Sequence, residues 1–200
     1  ASVTVVLAGC GGDGPGSGAA PDAREALRAV ADSAPGEVAV YYRDLRGRDS
    51  LMVAPDVRMH AASTMKVPVM IQLFRDRDAG RLSLDDSVVV TTTFRSIVDG
   101  SPYELPAGSD SEPTLYERVG RGVPVRELVE LMITRSSNLA TNLLIRDADP
   151  TRVTATVREL GADSMEVLRG VEDLAAFEAG LSNTTTARDL GIVLGALARG

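Results

Sequence analysis

Lys66 is the only lysine in this chain, and the other 20 of its 21 Lys+Arg residues are arginines. A guanidinium stays protonated in proteins, whereas an ammonium can lose its proton when desolvated. Ser63 precedes the lysine by three residues, in Ser63-Thr64-Met65-Lys66. That spacing is about one helical turn, so Ser63 Oγ and Lys66 Nζ can share a face. A deprotonatable amine beside a hydroxyl is one way to activate a serine nucleophile. The pattern is short and needs support from the rest of the chain. His60 is the sole histidine and the sole candidate for a Ser-His-Asp triad. Nothing near it in sequence is placed to orient its ring as a triad requires. Cys10 is the sole cysteine, so no internal disulfide can form. One His and one Cys make no ligand cluster, and no metal or other cofactor is expected.

The elements that must position these residues follow from periodicity. Asp22 to Asp32 reads as an amphipathic helix with Ala23, Ala26, Leu27, Val30 and Ala31 on one face. Val38 to Tyr42 and Leu51 to Val53 read as strands joined by a turn at Arg46-Gly47-Arg48-Asp49. Ser63 starts an apolar helix through Val67, Met70, Ile71 and Phe74, with Pro68 close enough to its start to be tolerated. Val88 to Val90 is a short strand, and Asp99 to Pro113 reads as loop. A helix over Val125 to Ile133 is interrupted by Thr134-Arg135-Ser136-Ser137-Asn138, whose side chains favour caps and turns. Leu139, Leu143 and Leu144 begin the next helix, and Asp149-Pro150 opens another that Leu160-Gly161 closes. Thr184-Thr185-Thr186-Ala187-Arg188-Asp189 opens a last helix, with Leu190, Val193, Leu194 and Leu197 on one face.

Two hundred residues suit one domain with a sizeable core, and 44% hydrophobic with 24% charged content is that of a globular protein. A net charge of −7 with both signs scattered, and 4% aromatic residues, argue against a nucleic-acid partner. At the N-terminus an apolar run, Ser2 to Leu7, leads into Leu7-Ala8-Gly9-Cys10, which resembles a bacterial lipobox. Residues 1–9 then read as the remnant of a lipoprotein signal peptide. Residues 10–21 read as a lipidated Cys10 followed by a Gly-rich tether, and residues 22–200 as the catalytic domain. The expected location is the cell envelope, exported and membrane-anchored through Cys10.

Taken together, Ser63-x-x-Lys66 and Ser136-x-Asn138 resemble the motifs of the class A β-lactamases and related penicillin-recognising serine enzymes. Met132 to Leu144 is similar to the family's second-motif segment, Thr184 to Leu190 to its Thr-rich helix start, and Ser63 to Val69 to its nucleophile helix. The resemblance runs from about Glu37 to Gly200. It implies an α/β (α+β) fold of the β-lactamase/transpeptidase type, an antiparallel sheet of five strands with helices on both faces. It implies Ser63 as the nucleophile acylated by a β-lactam, with Lys66 as general base or proton shuttle. Ser136 would relay a proton to the lactam nitrogen, and Asn138 would bind the substrate amide. The Ser63 N–H would form half of an oxyanion hole.

Three departures stand against the family pattern. Ser137 occupies a position where Asp is usual. Arg169-Gly170-Val171-Glu172-Asp173-Leu174 resembles the deacylation loop, but its acid is displaced by one residue. Glu172 is thus a possible deacylation base, Asp173 is an alternative, and both could be solvated loop charges. No Lys-Thr-Gly segment occurs. In the family that strand follows the Thr-rich helix, so the chain reads as a fragment whose C-terminal strands are missing, with apolar surface of the Ser63–Phe74 helix exposed. The leading expectation is a monomeric serine hydrolase opening β-lactams. The alternatives are a penicillin-binding D,D-peptidase that acts on cell-wall peptide and deacylates slowly, or a non-catalytic lipoprotein.

Overall fold

The structure, a computed structural model, describes residues 3–5, 21–47 and 49–200. In chain order its first elements are β1 (Val3–Val5), α1 (Pro21–Ser33), β2 (Val38–Arg43), β3 (Ser50–Val53) and β4 (Met59–His60). A 3-10 turn at Ala62–Met65 leads into α2 (Lys66–Asp78). Three short strands follow, β5 (Ser87–Val89), β6 (Thr93–Arg95) and β7 (Pro102–Glu104). Two 3-10 segments, Ala107–Ser109 and Pro113–Arg118, precede β8 (Gly122–Pro124) and α3 (Val125–Thr134). The chain continues through α4 (Asn138–Ala148), α5 (Pro150–Glu159), α6 (Leu174–Glu178), β9 (Thr184–Thr185) and α7 (Ala187–Arg199). The lipobox cysteine and the Gly-rich tether lie outside the described residues. Among the described residues no helix is long and apolar enough to cross a membrane.

The chain divides into two compact units. One is built from the described residues up to His60, with Arg158–Met165 and Thr184–Gly200. Its sheet runs β1-β2-β3. The β2–β3 pairing is antiparallel, with Val40 opposite Val53 and Tyr42 opposite Leu51. β1, where the sequence suggested a leader remnant, pairs with β2 in parallel, a departure from an all-antiparallel sheet. Alternation along β2 puts Ala39 and Tyr41 on one face, buried with Met59 and Ala187. Helix α7 packs on β2. Gly191 permits this, since a Cβ there would lie 2.1 Å from Tyr41 Cδ1. Thr186 caps α7 by accepting from Asp189 N–H at 3.0 Å. The Asp189 carboxylate accepts from Ser164 N–H at 3.0 Å, and burial raises its pKa. The apolar face read on α1 is only partly buried: Leu27 and Ala31 are half-buried, while Val30 is 66% exposed.

The other unit comprises Ala61–Val157 and Glu166–Asn183. Helices α2, α3 and α4 pack around Met65, Val69, Leu73, Leu128, Met132, Leu139, Leu143 and Leu144, all fully buried. Burying each such side chain stabilises the fold by roughly 1.5–3 kcal/mol before chain entropy is subtracted. The face of α2 turned to this core carries Val69 and Leu73, whereas the stripe read from sequence, Val67, Met70, Ile71 and Phe74, is half-buried and keeps part of its apolar surface exposed. Pro68 is the third residue of α2, where its missing N–H would have had no intrahelical acceptor. The stretch read as loop after Asp99 contains β7, which pairs with β6 through the cross-strand rings of Phe94 and Tyr103, 6.0 Å apart. Three residues are too few for alternation to reveal such a strand.

Candidate active site

Local geometry brings four of the motif side chains together. Ser63 sits exposed on the 3-10 turn before α2, after Ala62 at φ 45°. Its N–H belongs to the first turn, where helical donors have no intrahelical acceptor. Lys66, at the start of α2, is 2% exposed. Its Nζ donates to Ser136 O at 2.6 Å, to Ser136 Oγ at 3.0 Å and to Asn138 Oδ1 at 3.0 Å. Ser136 Oγ in turn donates to Ser63 Oγ at 3.0 Å. The serine and lysine that the sequence suggested would meet on one face are thus linked through Ser136. Burial lowers the Lys66 pKa to about 8, with the Asp110 charge opposing the shift.

The turn between α3 and α4 makes this possible. The sequence left Ser136 and Asn138 as possible caps, but the cap is Ser137, whose Oγ accepts from Ala140 N–H at 3.1 Å. Ser136, at φ 56°, is left-handed, which costs a non-glycine residue about 1–3 kcal/mol. That conformation turns both its carbonyl and its hydroxyl to Lys66 Nζ.

The two candidate acids separate. Asp173 is buried and spent on structure: it accepts from Ala176 N–H at 3.1 Å and from Ile97 N–H at 3.0 Å, capping α6. Glu172 is exposed, at φ 63°, with Oε1 3.5 Å from Asn138 Nδ2. Sequence reading missed the group that holds its loop. Buried Asn142 accepts from Val171 N–H at 2.7 Å and donates to Val171 O at 3.0 Å and Tyr103 Oη at 3.2 Å. Asn142 lies on α4 one turn after Asn138, and that spacing was the available signal. Burial pushes Tyr103 up to about 12. Gly170 passes so close that a Cβ there would lie 2.4 Å from Asn142 Oδ1. Asn183 holds the other end, accepting from Leu168 and Arg169 N–H at 2.8 and 3.1 Å. His60 lies in β4 opposite Thr184 of β9.

A neutral Lys66 could draw a proton from Ser63 through the Ser136 hydroxyl, whose hydrogen rotates to suit. An arrangement of this kind can serve a serine nucleophile with a relayed amine base. The model of the β-lactamase enzyme family matches residues 22–200. The chain belongs to that family. It is 31% identical to a β-lactamase of Streptomyces fradiae over 201 aligned residues, covering all of this chain and 62% of that protein. A β-lactamase of Streptomyces lavendulae is 28% identical, over 90% of this chain and 57% of that one. Among solved structures, a β-lactamase from Sphaerobacter thermophilus matches with a TM-score of 0.71 at 27% identity, over 90% of this chain and 62% of that one. An ancestral class A β-lactamase matches at 0.70 and 26%, over 87% and 63%. The chain thus spans about 62% of the length of the first relative it matches. The family membership accounts for the mixed fold of helices with mainly antiparallel strands.

Proposed function

We propose that the protein is a serine hydrolase that opens β-lactams through an acyl-enzyme on Ser63. The observation that carries this is the hydrogen-bonded run from Lys66 Nζ through Ser136 Oγ to an exposed Ser63 Oγ. With Lys66 neutral, Ser63 Oγ attacks the lactam carbonyl carbon, and its proton passes through Ser136 to Lys66. The Ser63 N–H donates to the developing oxyanion. Collapse breaks the C–N bond; the nitrogen takes a proton from Ser136, which Lys66 replaces. Asn138 binds the substrate amide. A water then gives a proton to Glu172 and attacks the ester carbonyl carbon; the C–O bond to Ser63 breaks, and the proton held by Glu172 passes to Ser63 Oγ, restoring both residues. Asp173 has no part in this, since both its oxygens serve backbone donors.

One observation favours a second reading, a penicillin-binding D,D-peptidase-like enzyme that deacylates slowly. Glu172 is exposed and its contact to Asn138 is at the outer limit of a hydrogen bond, so its hold on a water is weak. Anchoring to the cell envelope through a lipidated Cys10 belongs to the same proposal, on the lipobox-like sequence alone.

Intact mass after mixing full-length protein with penicillin G tests these readings. The hydrolase consumes the drug and returns to its own mass. The peptidase-like enzyme keeps a stable adduct, and neither outcome survives Ser63→Ala. A wild type that neither consumes the drug nor gains mass refutes acyl transfer.

A further inference from the structure

The second motif, Ser136-Ser137-Asn138, contains no carboxylate, yet a carboxylate is seated on it. Asp110 lies between the 3-10 segments Ala107–Ser109 and Pro113–Arg118. Its Oδ2 accepts from Leu139 N–H at 2.7 Å, Tyr116 Oη at 3.2 Å and Ser137 Oγ at 3.4 Å. Its Oδ1 accepts from Glu112 N–H at 3.0 Å. The next two residues repeat the link: Ser111 Oγ donates to Arg135 O, and Glu112 pairs with Arg135 at 3.6 Å. Residues 110–112 therefore grip positions 135, 137 and 139, and the side chains of Ser136 and Asn138 meet Lys66. The left-handed Ser136 needs such a grip, because nothing in its own preferences holds it there.

Resting on the acyl-transfer reading, we propose that Asp110 is a positioning residue. It locks the Ser136–Asn138 turn in the geometry that links Lys66 to Ser63, and it sets a carboxylate where it acts on the lysine. A passive helix cap would do only the first. Among the described residues, Asp110 is the charge that acts on Lys66; Glu172 contacts Asn138, and Tyr116, raised by burial, stays neutral. Asn at position 110 keeps an acceptor for Leu139 N–H but removes the charge that favours protonated Lys66.

The experiment uses full-length protein with 13C-labelled lysine, the Lys66 signal being assigned by its loss in Lys66→Met. In Asp110→Asn the Lys66 titration midpoint falls by about half a unit or more. The acid limb of acylation by penicillin G falls with it. Asp110→Ala acylates at least about tenfold more slowly, and adding Ser137→Asp, which returns a carboxylate to the turn, recovers most of that loss. An unmoved Lys66 midpoint in folded Asp110→Asn overturns the proposal. So does an Asp110→Ala variant that acylates within about twofold of wild type. If wild type itself is never acylated, the acyl-transfer reading falls, and the NMR midpoint still decides for or against the charge on Asp110.

Discussion

A lysine serves this site because its proton can leave. With its pKa lowered to about 8 by burial, roughly a tenth of Lys66 is neutral at pH 7, against well under a thousandth for an exposed lysine. If neutral Lys66 is the base, acylation by penicillin G should rise about tenfold per pH unit below 7 and level off above 8. Stopped-flow acylation rates between pH 5.5 and 9 check this, and a flat profile removes the lysine from the rate-limiting proton transfer. Lys66→Arg keeps the positive charge but gives up deprotonation, and its fork cannot reproduce three donors on one nitrogen. That variant should acylate at least about a hundredfold more slowly, as loss of a general base requires. Near-normal rates in it would refute proton transfer through this residue.

At the scale of elements, the Glu172 loop depends on α4 more than on its own sequence. Asn142 closes on both backbone groups of Val171, and Gly170 leaves no room for a side chain beside it. Gly170→Ala forces a methyl against a buried, hydrogen-bonded amide, costing about 1–3 kcal/mol. Ser63, Lys66 and Ser136 lie apart from that loop, so acylation should change little while release of the acyl group slows. Single-turnover mass spectrometry separates the two steps, and equal slowing of both would show that the loop is not specific to deacylation. The same contrast explains what could be read from sequence. Helices α2, α3 and α4 were legible because apolar residues recur at helical spacing over ten or more residues, although on α2 the residues read, Val67, Met70, Ile71 and Phe74, are half-buried and Val69 and Leu73 face the core. Ser63, Lys66, Ser136 and Asn138 were legible because two short motifs fell in order. Asp110 and Asn142 were not, since each acts on a segment 29 residues away and carries no local pattern. The choice between Glu172 and Asp173 was likewise invisible, because it turns on which carboxylate meets the backbone donors of Ala176 and Ile97.

For the whole molecule, burying an ammonium is a standing cost. Lys66 has a lower pKa folded, about 8, than unfolded, 10.5. Between those values the unfolded chain binds more protons than the folded one, so stability rises with pH across that window. Below pH 8 the full cost applies, on the order of 3 kcal/mol, a large share of the stability of an ordinary domain. The arginines do not titrate there. Tyr103, at about 12 folded against 10 unfolded, has the opposite sign, and its contribution is lost only as pH climbs above 10. Comparison with Lys66→Met isolates the lysine from every other group. The variant should be the more stable protein at pH 7 by a margin of about 1–3 kcal/mol, the upper figure reduced by the hydrogen bonds that Ser136 and Asn138 lose. That margin should shrink steadily from pH 8 to pH 10, as folded wild-type Lys66 sheds its proton while the unfolded chain still holds it. Urea unfolding of the two proteins at pH 7, 8.5 and 10 measures it. A margin that stays constant across this range would mean that the folded lysine titrates where the unfolded one does, and the base that the site requires would then be almost fully protonated at neutral pH.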